Sequence, residues 1–289
     1  MSSVLADFTA RVSVETKDWE EGTEARALLN ESALVLAAGE GDTLSIPLSA
    51  VLDVTRGVPN LFDPLPGAPL TVAYRDGNAR RAATVGTDEA AAEKFATVLF
   101  KALLNGTAVV LQHPAKVGGR VVDSSFRGGF LSLSAGEVRF ETDEGPVTVP
   151  LAAVVDFDRQ HRTIDGEDRP VLVVSHVDDG TALTTVAATE SSRKLSILGR
   201  FLRQEYGAVI DSLAELHLSE PETEMLTTLY SAGDMDVSLP SVLDTDPERV
   251  RRILHALHEK GLVESGENGP VLTARGRIVV NEYLERVNA

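Results

Sequence analysis

Ile46-Pro47-Leu48-Ser49-Ala50-Val51-Leu52-Asp53-Val54 returns 103 residues later as Val149-Pro150-Leu151-Ala152-Ala153-Val154-Val155-Asp156-Phe157. The proline, the first leucine, the second alanine, the valine after it and the aspartate stay in step. A repeat at fixed spacing sets the domain count before any other feature is read. The match spreads outward, with Gly41-Asp42-Thr43-Leu44-Ser45 against Glu144-Gly145-Pro146-Val147-Thr148, and Leu70-Thr71-Val72-Ala73-Tyr74 against Leu172-Val173-Val174-Ser175-His176. Turn signals follow at Asp76-Gly77 and Asp179-Gly180, and helical patterns open at Thr87-Asp88 and Thr189-Glu190. The chain thus reads as two copies of one module of about 100 residues, a normal domain size.

In the first copy apolar and polar residues alternate over 8–14, and further strands are predicted at 25–29, 33–36, 43–46, 51–54, 70–74 and 79–85. Asn30-Glu31, Gly39-Glu40-Gly41, a proline-rich loop from Pro59 to Pro69 and Asp76-Gly77-Asn78 divide them. A helix from Thr87-Asp88 to Gly106 places Phe95, Val98, Leu99, Ala102 and Leu103 on one face. Seven antiparallel strands and then a helix is the order of pleckstrin-homology-like folds. Near the first strand pair, where such domains grip phosphates, Asp18, Glu20, Glu21 and Glu24 face a single Lys17. Like-charge repulsion therefore argues against phosphoinositides and for a protein partner. Trp19, the one tryptophan, either packs on its own sheet or anchors an interface.

The second copy opens with Leu111-Gln112-His113-Pro114-Ala115-Lys116-Val117-Gly118-Gly119, read as a linker turning into strand. Strands are predicted at 129–133, 137–140, 147–149, 154–157, 171–176 and 182–186. The closing helix, 191–206, buries Leu195, Ile197, Leu198, Phe201 and Leu202, with Gly207 as its stop. The loop from Asp158 to Asp168 concentrates both signs of charge, as a docking tip or a solvated loop would. His113, His161 and His176 fall on separate strands or loops, without metal-ligand spacing.

From Leu218 the pattern turns helical. Ser219 is a predicted N-cap, with Pro221 early and Glu220 and Glu222 in the first turn of a helix running through Met225, Leu226, Leu229 and Tyr230 to Gly233. A short helix at 239–243 follows, then one opened by Asp246-Pro247, with Val250, Ile253, Leu254 and Leu257 inward and Gly261 at its end. A hairpin at 262–273 and a last helix at 273–287 complete a winged helix-turn-helix. Arg249, Arg251, Arg252, His255, His258 and Lys260 are what a DNA-reading helix would carry. Asp246, Glu248, Glu259, Glu264 and Glu267 oppose it, and residues 212–289 hold seven basic residues against fourteen acidic. Protein docking is the favoured reading and a DNA-binding transcription regulator the alternative. His255 and His258 lack a third metal ligand nearby.

The fold class that follows is α+β. Two tandem pleckstrin-homology-like β modules, each closed by a helix, occupy 1–106 and 107–211, and a winged helix-turn-helix domain occupies 212–289.

Composition agrees with a soluble protein of 289 residues, 43% apolar, with a net charge of −17 and a mean hydropathy of −0.01. The acid is spread along the chain, and only 6 of the 27 basic residues are lysine. That balance suits a salt-loving host or an ordinary acidic cytosolic protein, and in either case disfavours nucleic acid and anionic lipid. No apolar run is long enough to span a membrane, and Met1-Ser2-Ser3-Val4-Leu5-Ala6-Asp7 lacks the blocks of a signal peptide, which predicts a cytoplasmic protein. Without cysteine there are no disulfides and no thiolate chemistry. No G-x-S-x-G, H-E-x-x-H or P-loop motif occurs, so neither an enzyme nor a cofactor is predicted.

The tandem modules carrying Ile46 to Val54 and Val149 to Phe157, the intervening His113-Pro114-Ala115-Lys116-Val117-Gly118-Gly119 and the terminal winged helix together resemble the archaeal taxis adaptor family known as CheF. The acidic, lysine-poor composition resembles its haloarchaeal members. The resemblance implies a non-enzymatic adaptor between the phosphorylated chemotaxis response regulator CheY and the switch proteins at the cytoplasmic face of the archaellum motor. Motor contacts would fall to the paired modules and regulator contacts to the C-terminal domain.

The last helix offers the candidate residues. Val279, Val280, Tyr283, Leu284 and Val287 give it more apolar surface than a small winged helix needs, and Arg286 adds charge. Val280, Tyr283, Leu284, Arg286 and Val287 are therefore predicted to bind protein, as anchors of a helix docked in a groove do. The alternatives are packing on the preceding helices or a homodimer seam.

Overall fold

Every second residue from Ala10 to Val14 is buried along Val4–Val14 (β1), and this period of two gives one face of the strand to a core. The computed structural model describes residues 3–15, 19, 22–39, 41–57, 65, 67–134, 136–232, 238–266 and 269–288, without the side chains of 214 and 285–288. Most of the acidic loop around Lys17 and of the proline-rich loop, the expected helix stop at Gly233, and Glu267 of the expected wing lie outside the described residues. The architecture is mixed α+β, with two large antiparallel sheets and several helices. Contacts gather it into two units. One holds Met1–Thr107, Leu131–Leu133 and Glu190–Gln204, the other Ala108–Phe130, Ser134–Thr189 and Glu205–Ala289.

In the first sheet β1 is joined by Thr23–Asn30 (β2), Ala33–Ala38 (β3), Asp42–Pro47 (β4), Val51–Arg56 (β5), Leu70–Asp76 (β6) and Ala79–Gly86 (β7). The spatial order is β4-β3-β2-β1-β7-β6-β5. Thus β4 and β5 lie at opposite edges, yet only the 3-10 turn Leu48–Ala50 joins them. Laid flat, seven strands would hold those edges about 29 Å apart, whereas three residues reach about 10 Å. The sheet must roll until its edges approach, and the right-handed twist of strands provides the bend.

The second sheet takes the same path. Thr107–Val117 (β8), Arg120–Val121 (β9), Arg127–Ser134 (β10), Glu137–Thr142 (β11), Gly145–Pro150 (β12), Val154–Ile164 (β13), Glu167–Asp178 (β14) and Thr181–Thr189 (β15) run in the order β12-β11-β10-β8-β15-β14-β13, with β9 paired to β8. Its edge strands β12 and β13 are likewise joined by a 3-10 turn, Leu151–Ala153. The repeated nine-residue phrase is this edge-to-edge bridge. Leu48 N donates to Ser32 O and Leu151 N to Gly136 O, both at 2.8 Å. The ladder slips after Val51 and again after Val154, bringing Asp53 and Asp156 just past a bulge.

Glu89–Leu104 (α1) follows the first sheet, capped by Asp88, whose carboxylate accepts from Ala91 N at 3.0 Å. Its buried face carries Ala92, Phe95, Ala96, Leu99, Phe100, Leu103 and Leu104, and Phe95 meets Phe8 edge to face at 5.0 Å. The expected Val98 and Ala102 are only half-buried, because Ala92, Ala96 and Phe100 turn the apolar stripe around the axis.

Three expectations for the second copy are corrected. The presumed linker at its start is strand β8 through most of its length, since Val109, Leu111 and Ala115 give it an inward face. The region from Asp158 to Asp168 is the end of a long hairpin, closed by Asp165 and Gly166 at φ of 53° and 81°. That pair makes the two-residue turn whose twist suits adjoining strands, and Ile164 ties the tip into a core with Ala115, Val171 and Val186. The closing helix is Ser192–Ala214 (α2), which runs through Gly207 and does not stop there. Leu195, Ile197, Leu198, Phe201 and Leu202 are buried as predicted. Yet Glu190–Gln204 groups with the first unit, where Phe201 lies 5.3 Å from Phe100 and Arg193 Nη1 donates to Val51 O at 2.6 Å. Beyond Gly207 the helix continues because Val209, Ile210 and Leu213 find a core in the second unit.

The rest of the chain forms Glu220–Ala232 (α3), Leu239–Val242 (α4), Pro247–Glu259 (α5), Val263–Gly266 (β16), Gly269–Leu272 (β17) and Ala274–Asn288 (α6), in the predicted order. Asp246 caps α5 through Glu248 N at 3.0 Å, and Gly261 ends it at φ 69°. Within the second unit these helices share a core with the sheet, for Val155 and Val177 pack with Leu213, Met225, Leu226, Leu257 and Ile278. Tyr206 adds a hydrogen bond from its hydroxyl to Val155 O at 3.0 Å, and Arg277 Nη2 donates to Gly180 O at 3.1 Å. Among the described residues no helix is long and apolar enough to cross a membrane.

Candidate functional site

The last helix is placed by its first turn. Thr273 Oγ1 accepts from Gly276 N at 3.1 Å, and its hydroxyl donates to Gly261 O at 2.8 Å. Gly276 passes so near the preceding chain that a Cβ there would sit 2.1 Å from Leu262 O. Ile278 and Val280 then point into the core with Met225, Leu226 and Leu262. Val280, at 1% exposed, therefore offers no surface.

One turn on, the helix face opens to solvent. Tyr283 is 43% and Leu284 37% exposed. Beside Tyr283 lies a cavity of about 220 Å³, lined also by Leu213, Leu216, Leu218, Thr223, Val279 and Glu282. Its wall is mostly apolar and admits an aliphatic or aromatic side chain of a docked segment. Of the five residues predicted to bind protein, Tyr283 lines this groove and Leu284 follows it on the exposed face, while the side chains of Arg286 and Val287 lie outside the described residues. The leucines of the opposite wall were not singled out in the sequence. They belong to the end of α2 and the irregular segment after it, where no period marks an inward face.

The neighbouring helices deploy their charge differently from the sequence expectation. Arg249, Arg252, His255 and His258 are exposed on α5, and Arg251 pairs with Glu248 at 2.6 Å. Lys260 turns away from that face, its Nζ donating to Glu222 Oε1 at 2.6 Å and to His217 O at 2.9 Å. Glu222 also accepts from Ser219 N and Ser219 Oγ at 2.7 and 2.8 Å, so its carboxylate reaches back to satisfy the backbone N–H at the start of the helix. Burial would raise the Glu222 pKa, but the hydrogen bonds from Lys260 and Ser219 outweigh it and hold the carboxyl below its ordinary value.

Folding also brings together two histidines that the sequence separates. His113 on β8 and His176 on β14 stack at 5.8 Å, and Thr185 Oγ1 lies 2.8 Å from His113 Nδ1 and 3.0 Å from His176 Nε2. His176 Nδ1 is buried without a partner among the described residues. The tautomer of least cost has His176 Nε2–H donating to Thr185, whose hydroxyl donates to His113. Protonating His176 would strand an N–H in the interior. Burial, and next the neighbouring His113, lower the His176 pKa to about 4; burial and then Arg127 lower that of His113. Among the described residues no third ligand joins them, and no group of three could hold a metal ion. Trp19 is half-buried, with its indole N–H donated to the Asp42 carboxylate.

Comparison with known proteins finds relatives along nearly the whole chain. A family model described as archaeal chemotaxis signal transduction system protein F matches residues 4–208. The taxis protein CheF2 of Halobacterium salinarum is 35% identical over 291 residues, covering 99% of each chain. Taxis protein CheF1 of the same organism is 30% identical over 270 residues, covering 92% of this chain and 89% of that one. Among solved structures, that of the Spt16D Pob3N heterodimer gives a TM-score of 0.27 at 10% identity, over 61% of this chain and 85% of that one.

Proposed function

The chain belongs to the archaeal chemotaxis signal transduction protein F family, and from that premise we propose that it is a non-enzymatic adaptor. It binds the phosphorylated response regulator CheY and passes that state to switch proteins at the cytoplasmic face of the archaellum motor. The family is one of signalling proteins, with a role in taxis and in contacts with other taxis proteins. The observation that carries the reading is the match to a taxis protein along 99% of both chains.

The two rolled sheets serve as pleckstrin-homology-like modules facing the motor, over 1–106 and 107–211, and 212–289 serves as a winged helix that meets the regulator. The groove beside Tyr283 takes an apolar anchor of activated CheY, and Leu284 with the end of α6 completes the contact. An adaptor of this kind transmits only a difference in affinity, so the activated regulator must bind more tightly than the resting one. The DNA-binding alternative is weakened by the Arg251 to Glu248 pair, the inward turn of Lys260 and the exposed Glu259 and Glu264.

Capture of purified CheY by the full chain, with and without beryllofluoride, tests this. Activated CheY is retained and resting CheY is not, and Tyr283→Ala with Leu284→Ala weakens capture about tenfold or more. Equal capture of both forms removes the adaptor reading, and unchanged capture by the double variant removes the groove from it. A salt-sensitive shift of duplex DNA would favour the transcription regulator instead.

A further inference from the structure

The hairpin of β6 and β7 sets two arginines directly opposite one another, since Arg75 pairs with Arg80 in its register. Like charges so placed repel. Neither has a hydrogen bond or ion pair among the described residues, in a chain that carries 44 acidic residues. A third arginine joins them from the first turn of α2. Arg75, Arg80 and Arg193 line a cavity of about 550 Å³ together with Asn78, Ser192 and Ser196, and among the described residues no carboxylate lines it.

The third arginine is held in place. Arg193 Nη1 donates to Val51 O at 2.6 Å and to Leu48 O at 3.4 Å, anchoring it to the edge bridge of the first sheet. Of its five N–H donors, those on Nε and Nη2 have no partner among the described residues. The cavity therefore gathers three permanent positive charges, two hydroxyls and an amide. Planar guanidinium groups match the paired oxygens of phosphate groups. A single phosphate occupies only part of the volume, which leaves room for a second phosphate or an esterified group.

We propose that this cavity is a binding site for a polyvalent oxyanion of the phosphate class, free or as the charged end of a small molecule. The bound anion would relieve the repulsion between Arg75 and Arg80, which no ion pair among the described residues compensates. The site lies wholly within the first unit and shares no residue with the groove beside Tyr283, so it stands independently of how that groove is used.

Calorimetric titration of the full chain with pyrophosphate at low salt tests it, with inorganic phosphate in a second arm and chloride at matched ionic strength in a third. Saturable one-site binding is expected for pyrophosphate, weaker binding for phosphate and none for chloride. Arg75→Gln with Arg80→Gln weakens pyrophosphate about tenfold per charge removed, while Arg26→Gln, which breaks an exposed pair with Asp7, leaves it unchanged. Melting supplies a second readout. Without anion the double variant melts no lower than the parent, because a like-charge pair has gone, and with pyrophosphate only the parent is raised. Absence of saturable binding, equal binding by the double variant, or an equal response to chloride overturns the proposal.

Discussion

Arg200 grips Asp53 through two contacts, Nη2 to Oδ2 at 3.0 Å and Nε to Oδ1 at 3.3 Å. Asp53 is the aspartate of the repeated phrase and also accepts from Val54 N at 2.9 Å. It thus fixes the strand just past the bulge and fastens it to α2 within the first unit.

Both partners are about one-third exposed or less, so the pair is partly shielded from solvent and worth about 1 kcal/mol. Asp53→Ala should cost somewhat more than Arg200→Ala, about 2 against 1 kcal/mol, since it also frees Val54 N. A double-mutant cycle by urea denaturation should return a coupling near 1 kcal/mol. Strict additivity would show that the contact contributes nothing.

The stacked histidines make stability depend on acidity. His176 has a folded pKa of about 4 against an ordinary 6.5, so below pH 6.5 the unfolded chain takes up a proton that the folded chain refuses. Its contribution is complete above pH 6.5 and is lost as pH falls from 6.5 to 4, by about 3 kcal/mol at most. Melting temperatures across that window should decline in the parent and decline less in His176→Leu. Parallel curves would place the acid sensitivity elsewhere.

Two glycine substitutions should act in opposite directions. Gly276→Ala would drive a Cβ to 2.1 Å from Leu262 O, and the resulting shift should cost about 2 to 3 kcal/mol despite the better helix former. Gly207→Ala meets nothing within 4 Å inside α2 and should stabilise by up to about 1 kcal/mol. Thermal unfolding of the two variants separates these outcomes, and loss of stability in Gly207→Ala would mean that the helix bends there.

Strand positions at the start of the first sheet are readable because Ala10, Val12, Val14 and Ala25 alternate with polar neighbours at the period of a half-buried strand. The hairpin tip is hard to see in the sequence although Asp165-Gly166 signals a tight turn, since the charged run from Asp158 to Arg162 and on to Asp168 masks the alternation. Glycine ends many helices, which makes Gly207 a predicted stop. It does so through a left-handed conformation that only the packing of Ile210 and Leu213 makes unnecessary here. At the candidate groove Tyr283 was legible as a surplus apolar residue, but Val280 could not be told from it, since burial depends on which helices lie opposite.

What the chain alone determined is its duplicated strand pattern, its helical C-terminal third and its lack of thiol chemistry, because each is written in local period or composition. What only folding decided is where distant residues meet. Arg75, Arg80 and Arg193 share a cavity, His113 and His176 share a hydroxyl, and the first part of α2 groups with the first sheet. The reason is physical. Alternation and helical period fix which face of an element is apolar, whereas the partner of that face is selected by a competition among all apolar surfaces at once, which no local stretch encodes.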